Sequence, residues 1–372
     1  MISDTKTIIF LGNGRCYHTL DWFRSAQRLR PEKPPVLVTD LVESESYEKL
    51  IKPTDLVGKL FILDRYLIKK QSRIGNVWRN ILKLLVLPIQ IIKLRKLVKK
   101  FDNPVIHAHA MYYIALARFS SCKYIATPQG SELLIRPYRS YAYKLFSQVS
   151  FSRASIITVD SNAMRESLVK LFGLDATIIQ NGIDIDAIGQ LHDANVPRQK
   201  VVSIRGFDPN YQIGFLLDTR NRTIPDLPIH FCYPFIEMGY KTTMSTKLID
   251  ADIDLGRLPR FDLYRLLLAT KLVISIPVSD SSPRSVYEAI FCGCFVAVTN
   301  GDWVSQLPAC MASRVIVVNL QSKTWLQDSI DYADSNINRP YVPSSHALDL
   351  FDQKRSMSRC YEEMFYARME EI

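Results

Sequence analysis

Short apolar runs rich in β-branched residues alternate along this chain with stretches whose apolar positions recur every three or four residues. That is the pattern of parallel strands joined by crossover helices, an α/β architecture. The first run, Thr7-Ile8-Ile9-Phe10-Leu11, ends at Gly12-Asn13-Gly14 and gives way to a helical stretch from Leu20 to Ala26. Comparable runs follow at 35–40, 104–107, 124–127, 156–159 and 177–180. A second series occupies 201–204, 228–231, 272–276, 295–298 and 315–318. None of these runs alternates apolar with polar residues, so the strands are expected to be buried on both faces. A polar stretch from Gln190 to Lys200 separates the two series and reads as a linker. The expectation is two doubly wound, Rossmann-like halves, residues 1–190 and 198–350, followed by a terminal segment 351–372. The length of 372 residues suits two domains, and no internal repeat or low-complexity tract interrupts them.

One segment departs from the alternation. Between Lys59 and Lys100 there are twelve Lys or Arg residues against one acid, Asp64. Within it, Val77 to Pro88 is strongly apolar, so the segment reads as basic helices with one greasy face, interrupted at Pro88. Such a surface suits anionic lipid headgroups, and the plainer alternative is a core-packed helix with a solvated basic face. The whole chain carries a formal net charge of +10, which points to an acidic partner: a nucleotide, a nucleic acid or an anionic lipid.

Hydrophobic residues at 47% and charged residues at 23% exclude wholesale disorder and a fibrous protein. The seven cysteines (Cys16, Cys122, Cys232, Cys292, Cys294, Cys310, Cys360) are odd in number and scattered, which argues for a reducing compartment. The first strand-like run follows Met1 to Lys6 directly, so no signal peptide is expected, and no apolar run is long enough to span a membrane. A cytoplasmic protein is the expectation, with a peripheral place on the inner face of the membrane if the basic segment meets lipid.

Several motifs stand where strands end, the side on which open α/β sheets bind ligands. Gly12 and Gly14 suggest a phosphate-binding turn, since small residues let the backbone approach an anion; a tight turn serving only the fold explains them equally. A dinucleotide fingerprint would place a third glycine where Tyr17 stands, although Asp40, after the second run, still offers a carboxylate for a ribose. The i, i+2 spacing of His107 and His109 points both imidazoles to one side, but no further metal ligands lie nearby, so no metal site is expected. Pro128-Gln129-Gly130-Ser131-Glu132 supplies an open backbone, a hydroxyl and a carboxylate, or simply a helix start with Ser131 as its cap. The densest group runs from Asp280 to Glu288, with Ser281, Ser282, Arg284 and Ser285 between them. Hydroxyls and free N–H groups at a helix start suit phosphate oxygens, and Glu288 can accept both hydroxyls of a ribose. Gly293 is placed to end that helix in the left-handed conformation. Arg205, after the first strand of the second half, can neutralise a diphosphate; the alternative is that it and Glu288 pair with each other.

In order along the chain these motifs resemble those of the family 4 retaining glycosyltransferases. His18 to Trp22, Val105 to His109 and Pro128 to Glu132 are similar to three first-domain loop patterns, with Gln129 where histidine is usual. Ser152 to Ser161 is similar to the segment before that domain's last helix. Gln180-Asn181-Gly182-Ile183-Asp184 is close to a signature with proline at its first position, and Asp280 to Glu288 resembles the family's two acids eight residues apart. The resemblance implies the GT-B fold, two Rossmann-like domains facing a cleft, with a terminal helix over 351–372 crossing back onto the first. It implies transfer of a sugar from a UDP- or GDP-linked donor, with no further cofactor, to a glycan or lipid-linked acceptor in cell-envelope polysaccharide synthesis. By the same resemblance Arg205 and the Ser281-Ser282 region hold the diphosphate, Glu288 the ribose and Asp280 the sugar. His18, His107, Gln129 and Ser131 become acceptor- or sugar-contacting candidates. The family's second diphosphate cation, a lysine, is Asn210 here, and Lys241 or Lys247 is expected to substitute. The alternatives are a sugar-nucleotide epimerase of the same fold and a non-catalytic protein that binds a membrane or protein partner. A nucleic-acid partner is not expected, because the basic segment is aliphatic with a single tryptophan, Trp78, to stack on a base.

Overall fold

A computed structural model describes residues 6–68, 73–193, 195–233, 236–280 and 282–366. The chain forms two units, one running to Gln180 and resuming at Ser356, the other Asn181–Arg355. Seven parallel strands make the first sheet: β1 (Thr7–Leu11), β2 (Val36–Thr39), β3 (Val57–Lys59), β4 (Pro104–His109), β5 (Lys123–Thr127), β6 (Ile156–Val159) and β7 (Thr177–Ile178), in the order β3-β2-β1-β4-β5-β6-β7. Six make the second: β8 (Lys200–Ser203), β9 (His230–Cys232), β10 (Ile253–Gly256), β11 (Thr270–Ser275), β12 (Phe295–Val298) and β13 (Val315–Val317), in the order β10-β9-β8-β11-β12-β13.

The central strands are mainly apolar because helices cover both faces of each sheet. Ile8 and Phe10 of β1 pack with Leu20, Trp22, Met357 and Tyr361, while Ile9 and Leu11 join Val38, Met111, Ile114 and Leu168 on the other face. In the second unit Val201 packs with Ile274, Phe295 and Trp325, and its neighbour Val202 with Val273, Val296 and Ile290. Each sheet has one place where the connections reverse direction, between β1 and β4 and between β8 and β11. Loops leaving the strands' C-terminal ends part there and leave a crevice.

Three features differ from the expected layout. The division between units lies at Gln180, not at 190, because Asn181 to Asp184 is anchored in the second unit. There Ile183 N donates to Phe351 O at 2.7 Å, and a Cβ on Gly182 would sit 2.3 Å from Gln353 Cα. The helix that follows, Ile185–Leu191, buries Ala187 and Ile188 in that unit's core. The last helix, Gln353–Tyr366, crosses from one unit's residues to the other's at Ser356; the end of the expected terminal segment, 367–372, lies outside the described residues.

Pro88 interrupts nothing: a single helix, Arg73–Val98, runs through it. Pro88 is on the exposed side, so the Leu84 carbonyl it leaves without an N–H faces water, and Tyr112 Oη donates to the neighbouring Lys83 O at 3.0 Å. Finally, β3 and β10 escape the pattern because they are edge strands, and an edge needs no continuous apolar run.

Candidate functional site

Arg205 leaves the end of β8 and Asp280 the loop after β11, so the switch point of the second sheet brings them together. Arg205 Nη2 lies 2.9 Å from Asp280 Oδ2, its Nε donates to Ser275 Oγ at 2.6 Å, and its guanidinium stands 5.4 Å from the Tyr211 ring centre. The pair borders a polar cavity of about 180 Å³ lined also by Ser275, Thr299, Asn300 and Trp303. The residues after β12 were not singled out from the sequence, although Thr299-Asn300-Gly301 carries the turn signal of a strand end beside the switch point. A cation, a carboxylate, hydroxyls and amides around one small hollow form a site for a phosphorylated, hydroxyl-rich ligand.

The helix Arg284–Phe291 starts beside this cavity. Asp280 Oδ1 accepts from Ser282 N at 3.3 Å, Arg284 is buried in the first turn, and Ser285 is half-buried next to it. Ser281 lies outside the described residues. Gly293 closes the helix at φ 85°, with Gly293 N on Ile290 O and Cys294 N on Ala289 O, the Schellman pattern.

Glu288 is set apart from the cavity. It is buried, its Oε1 accepts from Arg260 Nη1 at 3.0 Å and from Tyr264 Oη at 3.3 Å, and Arg284 Nε stands 3.5 Å away. Arg205 and Glu288 therefore do not pair with each other; each has its own counter-charge. Arg260 and Tyr264 come from the preceding helix, and no local motif pairs them with Glu288.

Both lysines expected to replace the missing cation have counter-charges of their own in this structure. Lys241 Nζ lies 2.6 Å from Asp254 Oδ2 and 2.7 Å from Tyr233 Oη, and Lys247 Nζ lies 2.7 Å from Asp218. Asn210 itself works as a clamp: its Nδ2 donates to Ser279 O at 3.2 Å, and its carbonyl accepts from Val278 N at 2.7 Å.

At the switch point of the first sheet the chemistry is neutral. His107 is fully buried, with ring centres 4.8 Å from Phe10, 5.5 Å from Trp22 and 6.0 Å from Tyr361. Its Nε2 lies 3.0 Å from Thr127 Oγ1 and 3.1 Å from His109 Nε2. Burial lowers the His107 pKa to about 3, and burial together with the two neighbouring imidazoles, His107 and His18, lowers that of His109. His107 is thus a core residue in this structure rather than an exposed contact. His109, nearer the strand end, is slightly more open. Ala110, which follows, adopts φ 72°, a strained conformation for an alanine that turns the chain into the helix Met111–Arg118.

His18 is exposed on the first turn of the helix Tyr17–Leu29, and Gln129 is exposed with its Nε2 3.8 Å from Cys16 Sγ. Ser131 is exposed but does not cap its helix; Gln129 occupies that position. Buried Glu132 ties the two loops, accepting from Met111 N at 2.9 Å and Gln129 N at 3.0 Å, and burial raises its pKa. Gly12 and Gly14 are explained by packing: a Cβ would meet Thr19 Cγ2 at 2.4 Å and Leu41 O at 2.2 Å. Asp40, the candidate ribose carboxylate of a dinucleotide enzyme, is sealed inside, bonded by Tyr113 Oη and 3.3 Å from Lys83 Nζ.

Residues 65–187 match the model described as Glycosyltransferase Family 4. No curated protein matches the chain in sequence. Among solved structures, HepE of Anabaena in complex with UDP and glucose is similar over 96% of this chain and 99% of its own, with a TM-score of 0.71 at 14% identity. Sucrose-phosphate synthase from Thermosynechococcus elongatus is similar over 97% and 100%, with a TM-score of 0.68 at 13% identity. A candidate UDP-N-acetylglucosamine 2-epimerase from Listeria monocytogenes is similar over 100% and 98%, with a TM-score of 0.61 at 14% identity. At these identities the likeness is one of fold. The chain has the GT-B fold, and residues 65–187 match a family 4 glycosyltransferase model.

Proposed function

We propose that the protein transfers a sugar, with retention of anomeric configuration, from a nucleotide-diphosphate donor to a glycan or lipid-linked acceptor in cell-envelope polysaccharide synthesis. The observation that carries the donor reading is the Arg205–Asp280 pair on a polar cavity at the switch point of the second sheet. One fold neighbour, HepE of Anabaena, is seen in complexes with UDP and with UDP-glucose, which supports a nucleotide sugar as donor.

In this reading Arg205 meets the departing diphosphate, where negative charge builds up, and the positive end of the Arg284–Phe291 helix dipole adds to it. Groups already in place for that charge lower the barrier without a protein nucleophile. Asp280, held against Arg205, accepts from sugar hydroxyls once the donor takes over the guanidinium. Glu288, backed by Arg260 and Arg284, accepts from the ribose. His18, Gln129 and Ser131 stand on exposed loops of the first unit and are assigned to the acceptor or the sugar. The nucleotide sugar is the only co-substrate this scheme requires.

Isothermal titration with UDP, GDP and CMP tests the donor site, with Arg205→Ala as the comparison. A nucleoside diphosphate should bind the native protein and bind the variant at least tenfold more weakly. No binding at millimolar concentration overturns the reading. NMR of the product's anomeric proton tests retention, and turnover of a UDP-sugar in the absence of any acceptor would replace transfer by epimerisation.

A further inference from the structure

The helix Arg73–Val98 has two apolar faces, and only one is used by the fold. Val86, Gln90, Leu94 and Val98 are buried. On the opposite side Val77, Ile81, Leu84, Leu85 and Ile92 repeat at helical spacing and lie in the open, with Leu84 63% and Leu85 67% exposed. Trp78 and Ile89 flank this stripe and are exposed as well. A soluble surface helix ordinarily turns a polar face outward. Here the outward face is apolar from Val77 to Ile92, about 23 Å along the axis.

The charges accompanying the stripe are all of one sign. The helix contains no acid, and Arg79, Lys93, Arg95, Lys96, Lys99 and Lys100 are exposed on it or just beyond it. No helix among the described residues is long and apolar enough to cross a membrane, so the face is suited to lying on one. A second copy of the chain would set like charges against each other across a symmetric contact, and aliphatic side chains offer no stacking surface for nucleic-acid bases.

We propose that this outward face docks on an anionic bilayer surface, with the Leu84–Leu85 stripe at the acyl boundary and the cations on the headgroups. The observations behind it are independent of the donor site, so loss of the transfer reading leaves it standing.

The test is co-sedimentation of the full chain with vesicles of phosphatidylcholine alone or mixed with phosphatidylglycerol, at low and high salt. Binding is expected to the anionic vesicles only and to weaken as salt rises. Trp22, Trp303 and Trp325 are buried, so a blue shift of tryptophan emission on binding reports Trp78. Leu84→Glu/Leu85→Glu should lower partitioning at least tenfold, and Lys96→Gln/Lys99→Gln should lower it and flatten the salt dependence. Unchanged circular dichroism and melting establish that each variant is folded; because Leu84 and Leu85 point outward, substitution there removes no core contact. Equal binding to neutral vesicles, no binding to anionic ones, or native partitioning by the Leu84/Leu85 variant each overturns the proposal. So does a dimer that this variant disperses, since a second copy would then cover the face.

Discussion

At the end of β4 the first unit buries His107 and His109 side by side against Phe10 and Trp22, while at the ends of β8 and β11 the second unit sets Arg205 against Asp280 on a polar cavity. The sheets turn their connections at equivalent places, so topology supplies a crevice in both. What fills each crevice follows from burial. Imidazoles closed in by aromatic rings stay neutral, whereas the Arg205–Asp280 ion pair borders a hollow where a ligand can take over one partner. A crevice is therefore a place for chemistry, and the side chains decide which unit handles anionic ligands.

The largest effect expected in the second unit belongs to Glu288→Ala, beside the charged crevice rather than in it. It leaves Arg260 and Arg284 beside a void with their shared carboxylate gone, and removing one partner of a buried charge cluster destabilises by about 3–5 kcal/mol. Denaturant unfolding should show this loss, with Glu288→Gln, which retains an acceptor, in between. If Glu288→Ala keeps native stability but loses nucleotide binding, the cluster is a ligand site first and a structural one second.

Arg205→Ala comes next. Here the fold should lose less, because the pair borders the cavity and the Asp280 side chain is 20% exposed, while Asp280 is left as an unopposed negative charge facing the diphosphate. A reduction of about 10²-fold in kcat/KM is expected, roughly 3 kcal/mol of transition-state stabilisation. Arg205→Lys should recover part of it, keeping the charge while losing the bidentate fork. An equal effect from His18→Ala would blur the contrast between the crevices.

The neutral crevice makes its own prediction about pH. An unfolded histidine titrates near 6.5, whereas His107 in the fold titrates at about 3 and His109 also below its ordinary value. The unfolded chain thus binds more protons between those values, and stability falls as pH drops below 6.5. Each histidine contributes up to about 1.4 kcal/mol per pH unit within the window. Unfolding followed from pH 7 to 5 should show the slope, and an NMR titration of either imidazole near 6.5 in the folded protein would remove it.

How much of this was legible in the residues varies with how local the cause is. Strands β1, β6 and β12 have the bounds read from the apolar runs, because a strand covered on both faces has no polar position to blur them. The edge strand β10, Ile253-Asp254-Leu255-Gly256, is half-exposed and polar enough to look like a loop. Arg205 and Asp280 were legible as strand-end residues of one parallel sheet. The partners of Glu288 were not, since Arg260 reaches it only through tertiary packing. Gly14 shows why a strand-end glycine is ambiguous in sequence: an anion would favour it, and so does the close approach of the Leu41 carbonyl.

Asn210→Lys gives the smallest effect and the sharpest reading of the charged crevice. The substitution restores a second cation where the family resemblance calls for one, and a charge-assisted bond to a diphosphate is worth about 1.5–3 kcal/mol. It also removes the Asn210 Nδ2 bond to Ser279 O, an ordinary hydrogen bond of about 0.5–1.5 kcal/mol, on the loop that carries Asp280. The backbone bond from Val278 N to Asn210 O survives the change, so the loop stays tethered. The two terms partly cancel, and nucleoside diphosphate affinity should rise by about tenfold. Titration of the variant decides between two pictures of the second unit. A small gain means that Arg205 and the helix start already meet the diphosphate charge. A gain of several orders of magnitude would mean that the native site is short of positive charge and holds its donor only weakly.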